Sequence, residues 1–164
     1  VALSPWVDLS IDSASLQKKG IEDPFLSADV LKKFADLYCG TTTDCRQNET
    51  ARCSELLSKY EQEKHQRLHP YVSPLYGDFN GFPSTLIHVG EKEILLDDSK
   101  QLATKLAVQS TGVGKLKIFS YATHGFQGLY PDLPESIESI EDIVSFIDEA
   151  IYQKEMQQAV LLNS

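Results

Sequence analysis

Ser84-Thr85-Leu86-Ile87-His88-Val89 is a short apolar run stopped by Gly90, and it reads as a buried β-strand. Beyond it, Leu95, Leu96, Leu102 and Leu106 form the apolar face of a helix whose basic residues, Lys100 and Lys105, are expected to point outward. Lys115-Leu116-Lys117-Ile118-Phe119-Ser120-Tyr121 then alternates polar and apolar residues, as a strand with one exposed face does. Pro134-Glu135-Ser136 opens a last amphipathic helix, with a core face read as Ile140, Ile143, Val144, Ile147 and Ile151 and acidic first turns that suit the helix dipole. Strand, helix, strand, helix in this order is the βαβα pattern of an α/β fold, a parallel sheet flanked by helices.

Working outward, Val1–Leu3 reads as the end of a buried strand closed by Pro5. Ser27 is the expected N-cap of a helix carried by Val30, Leu31, Phe34 and Leu37, which the turn-forming residues from Gly40 to Asp44 end. Residues 40–54 are polar and read as a surface insertion, and Leu56 to Leu68 reads as a charged helix with little to bury. The expected organisation is therefore one domain over 1–164, with a lid-like or insertion-like segment at 10–68 and the sheet with its helices at 69–151.

The chain has 164 residues, 41% hydrophobic, which is enough to build a core. Acidic residues outnumber basic ones 24 to 15, a net charge of −9 that argues against nucleic acid or an anionic membrane surface as the main partner. No apolar run approaches the length of a membrane span, and the first residues lack the basic start and apolar stretch of a signal peptide. An opening on Val1 without a methionine reads as a chain cut from something longer. Cys39, Cys45 and Cys53 show no C-x-x-C spacing and no histidine at ligand distance, so no metal or cofactor is expected and the cluster reads as incidental loop chemistry. Asn48-Glu49-Thr50 fits the glycosylation pattern, a match common by chance. The compartment stays open.

Parallel α/β sheets place their functional residues just beyond the carboxyl ends of the strands. That rule selects Gly90–Ile94, which carries Glu91 and Glu93, and Ala122–Phe126, which carries His124. An acid and a histidine arriving at one edge from neighbouring strands can orient an imidazole: the carboxylate fixes one ring nitrogen while the other takes a proton. The same residues also fit a loop-capping histidine and a solvated glutamate, and spacing does not choose between the two.

Three further stretches bear on that choice: Ser4-Pro5-Trp6-Val7-Asp8-Leu9-Ser10, then His69-Pro70-Tyr71-Val72-Ser73-Pro74-Leu75-Tyr76-Gly77-Asp78, then residues 85–99 from Thr85 through Gly90-Glu91-Lys92-Glu93 to Asp97-Asp98-Ser99. In this order they resemble the α/β-hydrolase fold-3 family, the hormone-sensitive-lipase-like carboxylesterases, and Thr123-His124-Gly125-Phe126-Gln127 resembles that family's histidine loop. The resemblance runs from Val1 to about Ile151, and the segment from Gly40 to Arg67 departs from it. It implies the C-terminal portion of an α/β-hydrolase fold with a partial helical lid insertion.

The resemblance also implies roles. The family's triad acid stands four residues before the paired aspartates, which here reaches Glu93, and His124 matches the catalytic histidine. Asp97 and Asp98 are read as mainly structural acids at a helix start. No Gly-x-Ser-x-Gly elbow and no His-Gly-Gly-Gly loop occurs in the chain. The implied function is a serine carboxylesterase or lipase-like hydrolase acting on a small ester or lactone, with this part supplying acid and histidine and inactive alone. The alternatives are a non-catalytic binder on the same fold, as in plant gibberellin receptors, and a truncated gene product without function. A homodimer stays open. Trp6 reads as packing more than as pocket wall, Asp8 as a loop anchor and His88 as a core residue. Phe25, Leu26, Phe34 and Leu37 fit an acyl pocket and ordinary lid packing equally, and His65 and His69 lie too far from other ligands for a metal.

Overall fold

A computed structural model describes residues 1–17, 23–39 and 65–162. The readings placed on 40–54, Asn48, Cys45, Cys53 and most of the charged stretch before Leu68 lie outside the described residues. The strands are β1 (Ala2–Leu3), β2 (Thr85–Gly90) and β3 (Gly114–Phe119); the helices are α1 (Ala14–Gln17), α2 (Ala28–Cys39), α3 (Leu96–Gln109), α4 (Phe126–Leu129) and α5 (Pro134–Leu162), with a 3-10 turn at Pro74–Tyr76. Among the described residues the sheet is three-stranded in the order β1-β2-β3. Both pairs are parallel, Ala2 opposite Ile87 and Thr85 opposite Gly114.

Central strand β2 is buried along its whole length, because helices cover both of its faces. On one face Ile87 packs with Leu102 and Leu106 of α3 and with Val7, Leu75 and Phe79. Each such side chain contributes roughly 1.5–3 kcal/mol by leaving water. On the other face His88 is fully buried, its Nδ1 2.8 Å from the Ser139 hydroxyl of α5 and its ring edge-on to Phe119. Gly114 lets β3 come close to α3, since a Cβ there would meet the Leu106 side chain at 3.1 Å.

Four expectations about packing are corrected. The α5 stripe is not a core face: Ile143 is part-buried, but Ile140, Val144, Ile147 and Ile151 are 43–52% exposed, while Ser136 and Ser139 are buried. The small Ser139 lets α5 approach β2, while the Ser136 hydroxyl donates to the Phe126 carbonyl of α4 at 3.1 Å. Helix α2 is capped by Ser27 as expected, the Val30 N–H donating to its hydroxyl at 3.3 Å. It buries Leu31, Ala35 and Cys39, spaced by four, and leaves Phe34 and Leu37 exposed. Leu3 is 45% exposed because β1 is the sheet edge among the described residues. Lys105 folds back to donate to the Leu75 carbonyl and lies over the Phe79 ring, instead of pointing outward.

Candidate active site

The loops after β2 and β3 are tied together by backbone bonds. Glu91 N–H donates to Phe119 O at 2.9 Å, and Lys92 N–H donates to Ala122 O at 3.0 Å. Gly90 is required at this approach, since a Cβ there would stand 2.3 Å from Ala122 O and 3.0 Å from Glu93 Oε1. The turn folds Glu93 back over the end of its own strand, where its side chain has no exposure. Gly125, at φ 69°, supplies the left-handed residue that ends the second loop after His124 and starts α4, with Phe126 buried beneath it.

Glu93 and His124 meet. Glu93 Oε2 is 3.2 Å from His124 Nδ1. The other oxygen, Oε1, accepts from the Gly90 N–H at 2.6 Å and from the Ser4 hydroxyl at 2.7 Å. The His124 ring is 33% exposed. Its pKa is held above the ordinary 6.5, chiefly by the hydrogen bond it donates to Glu93 and against the effect of burial, with the charges of Glu93 and Asp23 adding to the rise. Nδ1 is engaged, so Nε2 is the ring nitrogen left to exchange a proton.

The neighbouring acids do other work. Glu91 is exposed and accepts from the Tyr121 N–H at 3.1 Å. Asp98 is buried in α3 and accepts from the Val7 and Asp8 N–H groups, both at 3.0 Å. Asp97 lies 3.7 Å from Lys100. Asp8 accepts from Ser10 N–H and Tyr76 OH, and Trp6 packs against Leu16, Leu31, Ile94 and Leu95 while donating to the Asp8 carbonyl. Two site neighbours were missed in the sequence. Ser4 meets Glu93 across 89 positions, a contact that spacing cannot reveal. Asp23 accepts from the Ile94 N–H at 3.1 Å and from the Phe25 and Leu26 N–H groups, so the turn before α2 rests on the acid loop. Phe25 remains 45% exposed beside it, whereas Leu26 packs into the cluster around Leu31. No group of three His, Cys, Asp or Glu among the described residues is placed to hold a metal ion. No helix among them is long and apolar enough to cross a membrane.

The family model for the alpha/beta hydrolase fold matches residues 47–128, half the chain, including both Glu93 and His124. The chain belongs to the α/β-hydrolase fold family. Within it, this α/β-hydrolase chain is hormone-sensitive-lipase-like. It is 32% identical over 146 residues to an esterase of Acinetobacter venetianus and 29% identical over 147 residues to an acetyl-hydrolase of Streptomyces hygroscopicus. These alignments cover 89% and 90% of the chain. The hormone-sensitive-lipase homologue EstE7, from a metagenome library, superposes with a TM-score of 0.70 at 30% identity over 91% of this chain. The chain spans 41% of the length of both curated relatives and 43% of EstE7.

Proposed function

We propose that this chain supplies the general base and the orienting acid of a serine carboxylic-ester hydrolase, His124 as base and Glu93 as acid. The observation that carries the reading is a carboxylate with no solvent exposure bonded to Nδ1 of a part-exposed histidine, at the carboxyl edge of a parallel sheet. Such a pair fixes the imidazole tautomer and stabilises the imidazolium that forms when Nε2 takes a proton. A binding protein on the same fold has no need of it.

The attacking serine and the oxyanion donors come from outside these 164 residues, which hold no Gly-x-Ser-x-Gly sequence. In the reaction the serine hydroxyl adds to the ester carbonyl as its proton passes to His124 Nε2. Backbone N–H groups near the serine hold the oxyanion, and His124 returns the proton to the departing alcohol. A water then repeats the cycle on the acyl-serine. Short-chain esters are the proposed substrate class, with lactones second; the esterase and acetyl-hydrolase relatives support it. Residues 10–68 act as the lid, a role supported by the contact of Asp23 with the acid loop.

The test is made on the native protein that contains this chain. Its intact mass is measured, and it is then assayed with p-nitrophenyl acetate before and after a fluorophosphonate that labels activated serines. Hydrolysis that stops on labelling and is lost in His124→Ala is the expected result. Full activity in His124→Ala, or a native protein that cleaves neither short-chain esters nor lactones, overturns the assignment.

A further inference from the structure

Ser4 is the residue immediately after β1, and its N–H donates to the His88 carbonyl at 2.8 Å, carrying the parallel ladder one step past the strand. There the backbone turns to φ 45°, the left-handed region that residues with a Cβ rarely occupy. The next residue is Pro5, which further restricts the conformations open to Ser4. A strained residue persists only where its surroundings hold it, and such residues gather at functional sites. What the turn achieves is visible in the contacts. It aims the hydroxyl past the end of β2 and into Glu93, to which it donates at 2.7 Å while Ser4 itself is only 6% exposed.

The hydroxyl goes to Oε1, the oxygen that does not face His124. The Gly90 N–H donates to that same oxygen at 2.6 Å. With no solvent reaching Glu93, the carboxylate is satisfied by protein groups. One donor comes from the last residue of β2 and one from the residue that follows β1. A single donor leaves the carboxylate free to pivot; two donors from different elements fix both its position and its plane, so that Oε2 is presented to Nδ1.

We propose that Ser4 is a positioning residue: its hydroxyl and the Gly90 N–H clamp Oε1 of Glu93, so that Oε2 is aimed at His124. This rests on the proposed role of the Glu93–His124 pair. The simpler account is that Ser4 is a buried hydroxyl that happens to be satisfied, and the two differ in what His124 reports.

Histidine-labelled native protein is followed by NMR, reading the Nδ1 proton of His124 and the pH midpoint of its ring. The native protein is expected to show a low-field Nδ1 proton and a midpoint above the ordinary 6.5. Glu93→Gln removes the low-field signal and lowers the midpoint. Ser4→Ala moves the signal upfield, broadens it, and lowers the midpoint by a fraction of the fall in Glu93→Gln. Ser4→Gly relieves the left-handed strain, so it keeps the fold and still shows the same loss. If both Ser4 variants keep the native signal and midpoint while Glu93→Gln loses them, Ser4 has no positioning role and the pair stands. If Glu93→Gln also changes nothing, the pair itself is refuted, and the proposed function falls together with this inference.

Discussion

Glu93 and Asp98 are both carboxylates with no exposure, five positions apart, and each accepts two N–H or O–H bonds on one oxygen. They differ in the second oxygen. Glu93 Oε2 faces His124 Nδ1, whereas Asp98 Oδ1 has no hydrogen-bond partner among the described residues. Burial therefore pushes the Asp98 pKa up from 3.8 to about 6, against the pull of the two N–H groups. Asp98 staples the loop after β1 to α3, and Glu93 couples that same loop to a titrating ring. Depth of burial does not separate the two carboxylates; the partner on the second oxygen does.

The sharpest break between the two is in rate. Glu93→Gln is expected to lower kcat/KM for a short-chain ester on the order of 10³–10⁴-fold, because the imidazole loses its tautomer and the support for its charge. Asp98→Asn leaves the same rate within a few-fold. Stability reverses the order: Asp98→Ala strands two buried N–H groups and costs about 2–4 kcal/mol in a denaturant melt.

A third contrast is in pH. The folded pKa of Asp98 lies above its ordinary value, so the stability it contributes is full below 3.8 and is lost as pH rises through about 6. The loss is at most about 3 kcal/mol, and Asp98→Asn flattens it. His124 is likewise raised, so its contribution is present below 6.5 and is lost as pH rises through its folded value. Under the proposed role of His124, activity is expected to run the other way, since a general base works only when neutral. The smallest effect belongs to Lys100→Ala, which removes the 3.7 Å pairing of an exposed lysine with part-buried Asp97 and shifts stability by less than about 0.5 kcal/mol. A larger loss there breaks the distinction between the staple at Asp98 and its part-buried neighbour Asp97.

The two long strands were legible because local pattern decides them: Ser84–Val89 and Lys115–Tyr121 fall on Thr85–Gly90 and Gly114–Phe119 within two residues at each end. The strand-end rule named the two loops, and the resemblance chose Glu93 over Glu91; both are local facts. Long-range choices were hidden. The isoleucine stripe of α5 has a helical period, but period does not say which face turns inward, and Ser139 meets β2 while Ser136 meets α4. In α2 the buried row is Leu31, Ala35 and Cys39, because small and sulphur-bearing residues allow the close approach that Phe34 does not. Ser4 gave one faint signal, a serine before proline at a strand end, with no mark of its partner 89 positions away.

The most direct test of the Glu93–His124 account is the pH dependence of kcat/KM for a short-chain ester in the native protein, which reports the free base. The expected profile falls on the acid side with a midpoint above 6.5, the direction in which Glu93 moves His124, and it moves to lower pH when Glu93 is replaced by glutamine. A rate that does not change across that range, or a midpoint that Glu93→Gln leaves where it was, contradicts it.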